Sequence, residues 1–322
     1  MKKKLLTIIL AIALSMTVVV AFTACDLFGR GGNGTGGNGG DVPRANYDYF
    51  YIEDNNIIGL TQLGRRQTTF VIPASVKEIN SHYGRIYAWQ RARSPFEQVE
   101  SDNQITIQFE PNSNLEYIGP AAFMNLSSLK SITIPANVRR IGRSAFLRAS
   151  GLASVEFEEG SRLEHIGDSA FSQTSLTSII IPESVTIIGE AAFRATSLMS
   201  INIPNTVTAI GAFAFSNTTS LLSINIPPLI TRISAGTFLR ASSLTSIIIP
   251  ESVTVIGADA FNGATSLASI TIPATIVNIL HHAFAYWTNE QTIYVEGRSE
   301  EPSNGNWHSW LMSSNANVVW LG

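Results

Sequence analysis

The sequence predicts a repeat solenoid, mostly β, of roughly ten rungs. Three observations predict it: a short apolar motif returns about every 23 residues, a bulky aromatic returns with it, and both ends break the pattern. Ser131-Ile132-Thr133-Ile134-Pro135 recurs at Ser178–Pro182, Ser200–Pro204, Ser223–Pro227, Ser246–Pro250 and Ser269–Pro273. Variants without the proline are Ile107-Gln108-Phe109, Val155-Glu156-Phe157 and Ile293-Tyr294-Val295. The first apolar residues stand at 107, 132, 155, 179, 201, 224, 247, 270 and 293, at spacings of 22 to 25.

Each part of the repeat has a physical task. Ile-x-Ile is a short strand with two inward side chains and one outward. The proline cannot donate a ladder hydrogen bond, so the strand ends there. A second apolar stretch, such as Val138-Arg139-Arg140-Ile141, precedes a glycine expected to permit a sharp turn (Gly119, Gly142, Gly167, Gly189, Gly211, Gly257). Phenylalanine follows at 123, 146, 171, 193, 215, 238, 261 and 284, and stacking one ring per coil makes an aromatic spine. Leu129, Leu152, Leu176, Leu198, Leu221, Leu244 and Leu267 close the coils. No coil can bury its own faces, so stability has to come from its neighbours.

The pattern IPxxVTxIGxxAFxxxxSLxSIxI, as over residues 182–203, resembles the BspA-like (Treponema-type) leucine-rich repeat. The resemblance covers about 250 residues and implies a leucine-rich-repeat solenoid with a parallel concave sheet. Family members often carry Cys a few residues after the Phe. Here that position is read as Leu126, Ala149, Thr174, Ala195, Thr218, Ala241 and Ala264. Coils also depart at Ser234-Ala235 and Leu280-His281, where the Ile-Gly turn is missing.

Both ends deviate, as solenoid ends should. Residues 46–72 suit a capping hairpin, with Tyr47–Ile52 as one arm, a turn at Asp54-Asn55-Asn56 and a return through Phe70-Val71-Ile72. Between Pro73 and Ile107 lies an insertion with Tyr83, Arg85, Tyr87, Trp89, Arg91 and Arg93, readable as a folded cap or a contact loop. Trp307, Trp310, Val318, Val319 and Trp320 suit a closing strand with an aromatic lid. The solenoid proper is expected over 107–290, between an N-terminal cap at 46–106 and a C-terminal cap at 291–322.

Residues 1–24 read as a lipoprotein signal peptide: Lys2, Lys3 and Lys4, an apolar run from Leu5 to Phe22, then small residues before Cys25. Cys25 is the only cysteine, so no intramolecular disulfide can form. Phe22-Thr23-Ala24-Cys25 resembles a bacterial lipobox, with Phe where Leu is commoner, and implies lipid attachment at Cys25. The alternative is an uncleaved span, since about 18 apolar residues just suffice. Residues 25–45 are Gly- and Asn-rich, a composition that makes a tether with a reach of roughly 20 Å. The resulting expectation is a protein of the bacterial cell envelope, lipid-anchored at the outer membrane or cell surface.

Hydrophobic residues make up 45% of the 322 and charged residues 14%, enough for a large core under a weakly charged surface. Losing the three signal lysines takes the net charge from −3 to −3 − 3 = −6. Nucleic acid is therefore not an expected partner, because phosphates need clustered Lys and Arg. Catalytic candidates are thin, and no cofactor is implied. The recurring serines are dictated by the repeat, without a His base and carboxylate at matching positions. His281 and His282 are adjacent, but a metal needs a third donor that no nearby residue supplies.

The strand rows are more informative. Outward residues stack roughly 4.8 Å apart, and one row reads Gln108, Thr133, Glu156, Ile180, Asn202, Asn225, Ile248, Thr271, Tyr294. It is polar apart from Ile180, Ile248 and Tyr294, so Ile180, Asn202, Asn225, Ile248, Thr271 and Tyr294, with Trp89 of the insertion, are the candidate ligand contacts. The alternative is a hydroxyl-rich face that only solvates the sheet. Arg148, Arg194 and Arg240 suggest a second, cationic stripe, or ordinary solvated arginines. The family resemblance implies adhesion to host or matrix proteins such as fibronectin and fibrinogen. The other reading is an envelope protein that binds the organism's own surface glycan or protein.

Overall fold

The computed structural model describes residues 48–80, 94–96, 99, 104–300, 307 and 313–322. The chain divides into two units, Met1–Val42 and Pro43–Gly322, and every described residue belongs to the second. This unit is a mostly-β solenoid of about ten coils with one continuous core running from Phe50 to Trp307. The signal segment, Cys25, the tether, Trp89 and most of the insertion lie outside the described residues.

Two parallel ladders run along the coils. The first is the Ile-x-Ile motif, with strands at Thr69–Ile72, Thr106–Phe109, Ser131–Ile134, Ser154–Phe157, Ser200–Ile201, Ser223–Ile224, Ser269–Ile272 and Thr292–Glu296. The second consists of two-residue strands ending in the Ile before the glycine, such as Arg140–Ile141 and His165–Ile166. It is the more continuous of the two, forming an eight-stranded sheet from Phe50–Glu53 to Ala209–Ile210. The ends follow suit. Phe50–Glu53 pairs antiparallel with Asn56–Leu60 across Asp54 and Asn55, both at positive φ, as a tight hairpin turn requires. The return strand is thus 56–60, whereas Thr69–Ile72 opens the first ladder by pairing with Thr106–Phe109. At the other end Asn317–Leu321 closes that ladder on Thr292–Glu296, and buried Trp307 stands 6.3 Å from Trp320.

The glycine column answers to close approach rather than to turn geometry. A Cβ on Gly189 would lie 2.6 Å from the backbone nitrogen of Asp168, and one on Gly211 2.4 Å from that of Glu190. Both contacts are with the preceding coil, and neither glycine has positive φ. Where Ser234 replaces the glycine, the long sheet ends, and a new one begins at Arg232–Ile233. The serine hydroxyl fills the gap by donating to the Ile210 carbonyl at 2.7 Å.

Around each phenylalanine the backbone does something the sequence does not announce. The residues two before and two after it take positive φ, as at Ser144 (57°) and Arg148 (58°) or Ala191 (53°) and Ala195 (54°). A non-glycine residue there costs about 1–2 kcal/mol. The return is a third set of inter-coil hydrogen bonds. Ser144, Phe146 and Arg148 donate to Asp168, Ala170 and Ser172 at 2.7, 2.8 and 2.9 Å.

Inside, the rings of Phe96 through Phe284 form one stack, with neighbours 5.0–6.0 Å apart and within 26° of parallel. Phe70 and Phe50 close it at the N-terminal end, and Trp287 meets Phe284 edge-on at the other. The slot three residues after the Phe is buried at Leu126, Ala149, Thr174, Thr218, Ala241 and Ala264. In the remaining coil it is Thr196 and not Ala195, which is exposed. Thr174, Thr196 and Thr218 fit because each hydroxyl donates to the carbonyl of its own Phe, at 2.8, 2.9 and 2.6 Å.

Phe193 is fully buried in the spine, whereas Phe213 is half-buried at positive φ and lies over Gly236. Phe193→Ala should cost about 3–5 kcal/mol, and Phe213→Ala less than about 1 kcal/mol. Chemical denaturation of the two variants checks the contrast, and equal losses would contradict the assignment of the spine.

On the second ladder Arg140 stands between Tyr117 and His165. Burial, with help from the Arg140 guanidinium, holds the His165 pKa below its ordinary 6.5 against the opposing pull of Asp168. The unfolded chain therefore takes up this proton first, so the contribution of His165 is complete above pH 6.5. It declines as pH falls from there towards the folded value, below which the penalty is constant. Arg140→Gln should raise the His165 midpoint in an NMR titration, and an unchanged midpoint would leave burial as the whole cause.

Candidate functional site

The outward row lies as the alternation predicts. Ile179 and Ile181 are buried while Ile180 is 87% exposed, and Ile248 is 83% exposed. Gln108, Thr133, Glu156, Asn202 and Thr271 are also exposed. Two candidates differ. Tyr294 is half-buried between Thr271 and Val319 in the ladder. Asn225 is half-buried and uses its side chain on the neighbouring coil: Ile203 N–H donates to Oδ1, and Nδ2 donates to the Ile203 carbonyl, both at 2.7 Å. Its amide completes a ladder and is not on offer to a ligand.

The first ladder divides at three places: Thr106–Phe109 and Ser131–Ile134 belong to separate sheets linked only by a bridge from Ile105 to Leu129, and the two complete breaks adjoin the exposed isoleucines. Among the described residues, no backbone hydrogen bond joins 153–158 to 177–182, or 245–250 to 268–273. A cleft opens at each break, of about 700 Å³ beside Ile180 and about 420 Å³ beside Ile248. The four coils between the breaks remain joined through Ile180 to Asn202, Ser200–Ile201 to Ser223–Ile224, and Ser223 to Ser246. They form a platform with one isoleucine at each end.

The two ends are the same sequence. Thr177-Ser178-Ile179-Ile180-Ile181-Pro182-Glu183-Ser184-Val185-Thr186 is repeated without change over residues 245–254. Ile180 and Ile248 are three coils apart, roughly 14 Å at strand spacing. Between them Met199 and Leu222, just before the serine row, are 52% and 49% exposed. Neither was among the sequence candidates, although both stand at one repeat position, directly before the serine. Carboxylates rim both clefts, Glu156, Glu158 and Glu183 at the first and Glu251 and Glu296 at the second, and among the described residues no Lys or Arg lines either.

Other candidates fare differently. Arg148 and Arg240 share one arch position, but Ala195 holds it in the coil of Arg194, so the three arginines do not form a single column. His281 and His282, by contrast, do gain a third potential donor. Asp259 reaches them from the preceding coil, with one donor atom of each residue within 4.8 Å of the others.

Comparison with known proteins agrees with this architecture. A leucine-rich repeat protein from Bacteroides ovatus is similar at 23% identity with a TM-score of 0.56, over 78% of this chain and 71% of that one. The leucine-rich repeat protein of T. pallidum is similar at 24% identity with a TM-score of 0.50, over 70% of this chain and 89% of that one. At such identities the likeness shows the fold alone. No curated protein is similar enough in sequence to count as a match. The model of the BspA type leucine rich repeat region matches residues 94–195 and 164–291 with six copies, more than half of the sequence. The repeat, the coil it builds and this match lead to one conclusion: the chain belongs to the BspA-type leucine-rich-repeat family.

Proposed function

We propose that this is a lipid-anchored bacterial surface protein that binds other proteins through the platform between Ser178 and Ile249. The observation that carries this reading is the pair of isoleucines, each almost fully exposed at the lip of a cleft. Burying one isoleucine side chain under a partner is worth about 1.5–3 kcal/mol. A neutral hydrogen bond to the polar row brings a net 0.5–1.5 kcal/mol or so. The two isoleucines therefore dominate what the face can offer, and nothing in the repeat requires them there. Exposed apolar groups at positions that tolerate polar ones mark a contact surface.

The chemistry favours a protein over a glycan. Sugar rings pack on aromatic faces, and the platform row carries aliphatic groups and amides. The broken ladders leave strand backbone beside each cleft, which an extended segment of a partner can pair with. The carboxylates at the cleft rims select for Lys or Arg on that segment. An interaction scaffold also fits the family and the repeat-dictated serines better than catalysis does. The lipobox at Cys25 supplies the anchor, and a glycine-rich tether suits display outward from the membrane. Adhesion to a host or matrix protein is the role this combination fits best. Protease shaving of intact cells separates it from an internal envelope role, since a displayed platform is digested and an internal one survives.

Ile180→Asn combined with Ile248→Asn should leave stability within about 1 kcal/mol of the parent. It should weaken binding to matrix proteins or basic extended peptides on an array by roughly a hundredfold. Thermal unfolding and binding measured on the same protein decide. Unchanged affinity would shift the site to Trp89 and the arginine-rich insertion.

Cys25→Ser should move the protein from the membrane to the soluble fraction, since stable attachment rests on the acyl chains. Retention of that variant in membranes would make residues 5–22 the anchor.

A further inference from the structure

We propose that Asp259, His281 and His282 form a binding site for a divalent transition-metal ion of the Zn²⁺ class, joining the last two coils of the repeat array. One donor atom from each residue lies within 4.8 Å of the other two. The grouping follows from the arch geometry. Asp259 and His282 hold the same arch position in consecutive coils, at φ 56° and 59°, and His282 Nδ1 is 4.0 Å from Asp259 Oδ1. The Asp259 N–H donates to the His281 carbonyl at 3.2 Å, so the backbone itself fixes the two turns together. The two imidazoles stand nearly perpendicular, with centroids 5.4 Å apart, so neither ring covers the other's face.

The repeat does not ask for these residues. In the other coils the same position holds Ala121, Ser144, Ser169, Ala191, Phe213 and Gly236. Potential metal donors at the arch position are confined to the one pair of neighbouring coils where His281 also stands. Asp259 is further oriented by Asn262, whose Nδ2 donates to Oδ1 at 2.7 Å. This is the kind of outer hydrogen bond that holds a ligating carboxylate in place.

Two imidazole nitrogens and one carboxylate oxygen suit Zn²⁺ or a neighbouring transition metal, whereas Mg²⁺ and Ca²⁺ prefer oxygen throughout. Around a tetrahedral ion at about 2.0 Å the donors stand roughly 3.3 Å apart. The present cluster therefore has to tighten by about an ångström or more. His281 and His282 are exposed, so this requires rotamer changes and no shift of the core. Three protein donors leave a fourth position for water or an external group. His282 and Asn262 also line a pocket of about 350 Å³ with Tyr286 and Trp287, which gives such a group room. The site is separate from the isoleucine platform and does not rest on it.

Calorimetric titration of the full chain with ZnCl₂ tests the assignment. The expected result is a saturable site of one ion per chain, with Mg²⁺ giving no comparable binding. Affinity should fall about tenfold or more in His281→Ala and in Asp259→Asn and stay unchanged in His165→Ala. The thermal midpoint should rise with Zn²⁺ in the parent and not in the two site variants. Asp259→Asn keeps the shape and the hydrogen bond of the side chain, so it decides the matter should the histidine variant fail to fold. Absence of saturable binding, or equal binding in all variants, overturns the proposal.

Discussion

The whole architecture depends on one requirement, that each coil satisfy the backbone of the next. A coil of about 23 residues is too short to hold its own strands together, so its N–H and C=O groups are met across the stack. There are three lines of such bonds: the Ile-x-Ile ladder, the ladder ahead of the glycine, and the arch around the phenylalanine. Bringing three lines of backbone into register leaves no space for a Cβ at the glycine column, where the preceding coil lies within 2.4–2.8 Å at Gly142, Gly189 and Gly211. The same demand forces positive φ at Ala, Ser, Arg and even Phe213. The hydrogen bonds offset that strain. The ring spacing is a consequence of the coil spacing, and the phenylalanines fill a distance the backbone has already set.

Irregularities then fall where one line is interrupted and another has to compensate. At Ser234 the glycine ladder lapses, and a serine hydroxyl takes over one of its bonds. At Ile203 the Asn225 amide enters the first ladder and satisfies both backbone groups. At the two Ser-Ile-Ile-Ile-Pro-Glu-Ser segments nothing replaces the missing bonds, and a cleft remains. The other two lines continue past the first break, with His165–Ile166 paired to Ile187–Ile188 and Phe171 bonded to Ala192. The fold can therefore tolerate an open seam on one face.

Much of this was legible in the sequence because it repeats. The spine phenylalanines, the inward isoleucines and the exposure of Ile180 and Ile248 follow from period two within the strand and about 23 along the chain. What escaped the sequence has short or unspecific signatures. A two-residue strand carries no alternation, so the second apolar stretch ahead of the glycine did not announce itself as a ladder. Positive φ at Ala191 or Arg148 leaves no compositional trace, since neither residue type favours it. Ala195 was read as the slot residue, whereas the buried position lies three residues after the Phe, at Thr196, as in the other coils. Asp259 was overlooked as a partner of His282 because it is one coil away, a separation that matters only once the repeat is read as a distance in space.

Stacking also governs how such a chain acquires function. In a solenoid every position is a column, and a substitution in one coil acquires neighbours from the coils on either side without any change of fold. Most columns are held to small or apolar residues by the core, the glycine contacts and the ladders. Most residues of the outward strand row and the outer arch position are free of those constraints, Asn225 in the ladder and buried Ala121 being exceptions. Departures from the consensus at these two columns carry information about contacts, whereas departures at the glycine column report on strain. Ile180 and Ile248 are departures of the first kind, repeated with their whole segment beside two open seams. Their duplication, three coils apart and each within the same ten-residue segment, suits the proposed partner gripping the platform at both ends, where the second contact forms at high effective concentration once the first is made.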